Sequence, residues 1–134
     1  MDNEYLTWLQ KDFEDSPFWK HMGISMDYLT AGEARIKMPV SENQLNCNQY
    51  LHGGSITSLL DSIIGVTIRS SQNVKVATIY LNTHFVSPVK DGTLYATANV
   101  VHPGKSIIPV ESKVVDDQDR LIAFATSAFT ILKK

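Results

Sequence analysis

The 134-residue chain has one cysteine, Cys47. No internal disulfide can form, and no thiolate cage can hold a structural metal. A basic excess is also missing. Twelve Lys and Arg stand against 14 Asp and Glu, for a net charge of -2. The chain therefore lacks the cationic footprint of a nucleic-acid binder, although a local basic patch for a phosphorylated ligand stays open. Long apolar runs are absent too. The most apolar stretch, residues 122–132, contains Thr and Ser and falls well short of the roughly 20 residues that span a bilayer. The opening Met1-Asp2-Asn3-Glu4 is acidic and does not lead into a secretory leader. His21, His84 and His102 have no tight metal-ligand spacing. These absences together lead us to expect a soluble cytoplasmic protein with no membrane or nucleic-acid partner, no metal and no cofactor. Hydrophobic content is 43%, as in ordinary globular chains. Residues 1–134 are expected to form one domain, long enough to bury about two-thirds of its extended-chain surface.

Neither repeats nor low-complexity linkers divide the chain. Residues 5–13 place Leu6, Leu9 and Phe13 on one side of a short helix, and Pro17 opens a second segment carrying Phe18 and Trp19. Residues 24–29 and 33–39 read as strands around Thr30-Ala31-Gly32, and 41–51 as a polar loop. From Gly53 to about Arg69, Ile56, Leu60, Ile63, Ile64 and Thr67 recur at helical spacing. Leu59 and Val66 widen that face, leaving Ser58, Asp61, Ser62 and Gly65 as a narrow stripe of small or polar residues. A helix this apolar is expected to be buried on most sides. Four strands follow, over 76–87, 93–102, 106–116 and 121–132. In the first of these, Ala77, Ile79, Leu81 and Phe85 alternate with Thr78, Tyr80, Asn82 and His84. Pro109 predicts an edge or a bulge in the third. Two strands, one long helix and an antiparallel meander fit an α+β architecture, a curved antiparallel sheet wrapped around one central helix.

Chemistry concentrates at the start of that helix. His52-Gly53-Gly54 opens it, and the first backbone N–H groups of a helix have no internal partner. Together with the helix dipole they can hold a developing negative charge. Asp61 then places a carboxylate inside the apolar stretch. An oxyanion-binding terminus and a lone carboxylate are a kit for hydrolysing an activated acyl group. Plainer readings exist for each part. The two glycines also suit a tight loop-to-helix joint, and Asp61 also suits a solvated stripe. Asn46 suits a turn and Thr78 a strand, while His52 suits orientation rather than proton transfer. Cys47 has no convincing activating environment for nucleophilic chemistry.

The segment Asn46-Cys-Asn-Gln-Tyr-Leu-His52-Gly53-Gly54 with Leu59-Leu60-Asp61 resembles the hotdog-fold acyl-CoA thioesterases of the phenylacetate-degradation type. Thr78 to Asn82, Phe85, Pro88-Val89 and Gly92 also fit that family, as do His102 to Ser106. The fit runs over about residues 23–131. It implies a homodimer, or a tetramer built from dimers, that hydrolyses an acyl-CoA without metal. Carried over residue by residue, Gly53 gives its N–H to the thioester oxygen. Asp61 is the nucleophile or general base. Asn46 and His52 position the thioester or its water, and Thr78 places the water. Gly54 flanks the substrate. Apart from the resemblance, Lys105, Arg69, Lys75 and Lys90 are candidates for the coenzyme A phosphates, although exposed cations more often only solubilise. Many members have Gly three residues before the His, where this chain has Gln49, restricting the loop that holds Asn46. Two rival functions share the fold: a non-catalytic acyl-CoA-binding protein and a hydratase or dehydratase.

The helix geometry adds an independent expectation. Gly53 and Asp61 are eight helical steps apart, about 12 Å of rise. A reacting carbon must lie about 3 Å from both the oxyanion donor and the nucleophile. One helix cannot meet that condition. Two antiparallel copies across a twofold axis can, and they create two equal sites.

Overall fold

The computed structural model describes residues 2–132. Helices α1 (Asn3–Glu14) and α2 (Pro17–Met22) lead into strands β1 (Ser25–Thr30) and β2 (Glu33–Pro39). A single 3₁₀ turn over Glu42–Gln44 precedes the central helix α3 (Gly53–Ser71). Strands β3 (Lys75–Phe85), β4 (Thr93–Val100), β5 (Ile107–Val115) and β6 (Leu121–Leu132) complete the fold. All pairings are antiparallel, in the order β1-β2-β4-β5-β6-β3. Helix α3 packs against every strand from β2 to β3 in that order. Five adjacent strands span about 19 Å, whereas a helix with its side chains is about 10–12 Å wide. The sheet must therefore curve around α3, as the apolar perimeter of that helix requires. Leu59, Leu60, Ile63, Ile64 and Val66 are fully buried and meet Ile36, Met38, Leu94 and Val114 in the core. Among the described residues no helix is long and apolar enough to cross a membrane.

Helix α1 lies across the far end of α3. Its N-cap Asp2 accepts from the Tyr5 N–H at 2.8 Å, and the Tyr5 hydroxyl donates to the Arg69 carbonyl at 2.8 Å. Burial pushes the Tyr5 phenol above its ordinary value.

Three local expectations need correction. Pro109 lies neither at an edge nor in a bulge. It sits near the start of β5, an interior strand, where its carbonyl accepts from the Val101 N–H at 2.9 Å. The N–H that proline lacks would point to the same side, past the end of β4, so the ladder loses nothing. The regular alternation expected along β3 is also broken. Thr78 pairs with Phe129 and Tyr80 with Ala128, leaving Ile79 as an extra, half-exposed residue in a bulge. Thr78 and Leu81 thereby come onto the same face, which a two-residue period forbids. Finally, the polar loop contains the buried Gln44. Its Nε2 donates to the Met22 carbonyl at 2.7 Å, and its own carbonyl accepts from the His52 N–H at 2.8 Å. Gln44 therefore fixes the entry into α3.

Candidate active site

The start of α3 uses its orphan donors unequally. His52 is the N-cap, and its Nδ1 accepts from the Gly54 N–H at 2.8 Å. The His52 carbonyl accepts from Ser55 at 2.9 Å and more weakly from Ile56 at 3.4 Å. The Gly53 N–H meets no acceptor among the described residues. It is thus the first-turn donor left for a ligand, at the positive end of a 19-residue helix. Because Nδ1 accepts, the neutral His52 ring carries its proton on Nε2. That ring orients the terminus, as the sequence suggests. Gly53 is also the residue that fits sterically. A Cβ there would stand 3.2 Å from the Phe85 ring. Sequence reading placed Phe85 in a strand but missed its contact with the helix start, because that contact joins residues 32 positions apart.

Asn46 lines the same depression as Gly53, together with Tyr50, Ile56, Phe85 and Pro88. Its Oδ1 accepts from the N–H groups of Asn48 and Tyr50 at 2.9 and 3.2 Å. The amide thus closes its own loop, while its Nδ2 side has no partner among the described residues. The loop turns at Gln49, whose φ is 67°. This left-handed conformation is the one glycine adopts at no steric cost, so Gln49 takes on the shape expected of a glycine. Changing Gln49 to Gly should therefore stabilise the protein. Relief of the left-handed strain, about 1–2 kcal/mol, exceeds the added freedom of the unfolded chain, about 0.4–1 kcal/mol. A net gain of roughly 0.5–1 kcal/mol is expected in urea denaturation, with the m-value unchanged.

Asp61 lies on the half-buried stripe of α3 and faces β3. The Thr78 hydroxyl donates to Asp61 Oδ1 at 2.7 Å, and Oδ2 has no partner among the described residues. The bulge at Ile79 is what turns Thr78 toward α3. Bulges often re-aim a side chain next to a functional group in this way. Phe18 of α2 and Leu81 line this second depression with Asp61. Neither Asn46 nor Gly53 does. The structure therefore gathers the expected residues in two groups, Asn46-His52-Gly53-Gly54 at the end of α3 and Asp61-Thr78 along its side.

Two of the expected phosphate contacts, Arg69 and Lys105, lie apart from the first group. Arg69 is near the C-terminal end of α3. Its guanidinium contacts Asp12 at 3.4 Å and lies 5.8 and 5.1 Å from the Trp8 and Phe13 ring centres. Only 14% of its side chain is exposed, and its buried Nε has no hydrogen-bond partner among the described residues. Lys105 stands exposed in the β4–β5 connection. Beside it, a Cβ on Gly104 would overlap the Ile107 carbonyl oxygen, so this turn accepts only glycine. Cys47 is exposed. Among the described residues, no three His, Cys, Asp or Glu side chains converge as a metal site would need.

The sequence profile of the thioesterase superfamily matches residues 48–123, from the loop before α3 into β6. The acyl-coenzyme A thioesterase PaaI of Escherichia coli is 31% identical over 83% of this chain and 79% of its own length. The 1,4-dihydroxy-2-naphthoyl-CoA hydrolase of Listeria monocytogenes is 26% identical over 84% of this chain and 94% of its own. The structure of the E. coli PaaI protein, from the phenylacetic acid degradation operon, superposes with a TM-score of 0.87 at 24% identity. That match covers 98% of this chain and 97% of the other, and it shows the shared fold. A match over more than half of the chain, joined to the hotdog architecture of the sheet around α3, settles the family. The chain belongs to the thioesterase superfamily, in its phenylacetate-degradation-type branch, and is a thioester hydrolase.

Proposed function

We propose that the chain hydrolyses an acyl-CoA to free coenzyme A and a carboxylic acid, in sites composed by two copies of itself. The observation that carries this reading is the Gly53 N–H, left without an acceptor while the N–H groups around it are satisfied. The thioester oxygen takes that N–H, and negative charge gathers there as the carbonyl carbon becomes tetrahedral. Asp61 of the partner subunit either attacks that carbon or removes a proton from an attacking water. Thr78 holds one carboxylate oxygen and leaves the other toward the reaction. Collapse of the intermediate breaks the C–S bond. The coenzyme A thiolate leaves and takes a proton, and the acyl group departs as a carboxylate. Asn46 and His52 shape the helix start, Gly54 keeps its N–H on His52, and Lys105 reaches a coenzyme A phosphate from its exposed turn. The proposed setting is the cytoplasm, consistent with the lone thiol.

The unpaired edge of the sheet supports the composite site. Strand β3 lies at one end of the strand order, and Ile79, Tyr80, Phe85 and Val86 along and just beyond it are half exposed. A long apolar edge of this kind is a template for a second chain. A homodimer through β3, alone or doubled into a tetramer, brings two α3 helices side by side. The printed activities of the E. coli and Listeria relatives both concern coenzyme A thioesters, which supports the substrate class.

The test is an acyl-CoA panel followed for free thiol, with enoyl product monitored in parallel. Thiol release without enoyl formation is expected. Binding without turnover would instead make the chain an acyl-CoA carrier. Enoyl chemistry would make it a hydratase, a role for which His52 is poorly placed. Its Nδ1 already accepts from the Gly54 N–H.

A further inference from the structure

Phe85 closes β3 and is 56% exposed, yet it is held firmly at the start of α3. The tip of its ring lies 3.2 Å from where a Gly53 Cβ would stand. Just after it, the Val86 and Ser87 N–H groups both donate to the Ile122 carbonyl, at 2.8 and 3.1 Å. Because Val86 turns its N–H toward β6, the two-residue alternation makes Leu81, Thr83 and Phe85 present theirs to the open edge of the sheet.

The register of a second chain along that edge follows from the composite site. Directly opposite residues of antiparallel strands carry their side chains on the same face. Thr78, at Asp61, and Phe85, at Gly53, both face α3. They are an odd number of positions apart, and they share a face only because Ile79 is an extra residue in the strand. With Ile79 set aside, Asn82 stands midway between them. A twofold axis through Asn82 pairs it with its own copy. The same axis pairs Leu81 with the partner's Thr83, Tyr80 with the partner's His84, and Thr78 with the partner's Phe85. Every pair agrees in face, and Asp61 comes to the partner's Gly53 as the helix rise requires. Moving the axis by one position would carry Phe85 about 7 Å away from Thr78.

We infer that Phe85 is a positioning residue that acts in trans. From the copy that supplies Gly53, it reaches across the β3 seam onto the Thr78–Asp61 pair of the other copy. Its ring spans the distance from the oxyanion donor to the hydroxyl that holds the carboxylate. An apolar ring offers no competing hydrogen bond. It keeps bulk water off the Gly53 N–H and fixes the separation of donor and carboxylate. The inference rests on the composite hydrolase reading and adds to it a residue and a register.

The register is read by cross-linking in a Cys47→Ser background. Asn82→Cys should give a covalent dimer on mild oxidation, because a self-pair on the axis has Cα atoms about 4.5 Å apart, within disulfide reach. His84→Cys should not, since its two copies lie about 13 Å apart or more. Phe85→Ala should lower kcat about 10²-fold, as a misplacement of about 1 Å does, with KM nearly unchanged. Phe85→Leu restores an apolar wall and should recover most of that loss. If Phe85→Ala loses the dimer, its kcat is read in the Asn82-linked protein. Mixed dimers then identify the copy. With Asp61→Ala, Phe85→Ala should recover toward about a quarter of wild type, because one site of each mixed dimer is intact. With Gly53→Pro it should recover nothing, because each site of a mixed dimer then carries one of the two defects. Recovery with Gly53→Pro instead, or an unchanged kcat in Phe85→Ala, would overturn the trans role. An absent Asn82 link, or a link through His84, would overturn the register. Wild-type protein that forms the Asn82 link but releases no thiol would sink the hydrolase reading and the catalytic part of Phe85 with it, while the seam stands.

Discussion

Asp61→Ala should leave the fold intact and remove most thioester hydrolysis. Loss of a general base costs about 10²–10⁴ in rate, and loss of a nucleophile costs more. The reason the fold should survive is structural. Asp61 lies on the half-buried stripe of α3 rather than among its fully buried leucines and isoleucines. Its one hydrogen-bond partner among the described residues is the Thr78 hydroxyl, an exposed group that water can satisfy. The variant should therefore keep wild-type circular dichroism and a Tm within a few degrees. The loss should fall on kcat, because the carboxylate acts on the reacting carbon rather than on substrate affinity. Single turnover in ¹⁸O-labelled water separates the two routes: an acyl-enzyme leaves label in Asp61, and direct water attack leaves all of it in the product acid. An Asp61→Ala protein that turns over a good substrate at the wild-type rate would remove this residue from the chemistry.

The second large effect concerns the oxyanion donor and which copy of the chain supplies its carboxylate. Gly53→Pro deletes the N–H at the first helical position, where proline suits the backbone. The expected loss is about 10²–10³. Proline also pushes on the Phe85 ring, 3.2 Å from the Cβ position, so Gly53→Ala is the control. It meets the same ring yet keeps its N–H, and should lose far less. Mixing Gly53→Pro with Asp61→Ala then tests the composite site. Each homodimer should be nearly inactive. Random reassortment makes about half of the dimers mixed, each with one intact site of two, so activity should return toward about a quarter of wild type. Subunit exchange is followed separately by mass. Proven exchange with no recovery would mean that both groups serve one chain's own site, and the antiparallel helix pairing would have to be abandoned.

Sequence alone determined the long buried helix, because Ile56, Leu60, Ile63 and Ile64 repeat at a helical period that no strand satisfies. It determined the number and order of the strands, since turn residues such as Asp91-Gly92 punctuate alternating segments. It also placed Asp61 on a polar stripe, and the separation of Gly53 from Asp61 follows from helical rise alone. These are properties of neighbours along the chain, and local backbone geometry fixes them.

Tertiary structure decided what each site residue does. That Nδ1 of His52 takes the Gly54 N–H and leaves Gly53 free depends on the angle at which Gln44 holds the chain as it enters α3. Thr78 reaches Asp61 only because Ile79 bulges out of the β3–β6 pairing, and pairing register is set by the partner strand, 50 residues away. Gln49 adopts a glycine-like φ because the bridge between Leu45 and Leu51 closes its loop. Arg69 is drawn toward α1 by Asp12, Trp8 and Phe13, and the packing of α1 on α3 is invisible in the composition of either helix. For Asp61 and Arg69 the deciding contact joins residues distant in sequence, and the loop before α3 is closed by shorter-range contacts that take shape only as the chain enters the packed helix.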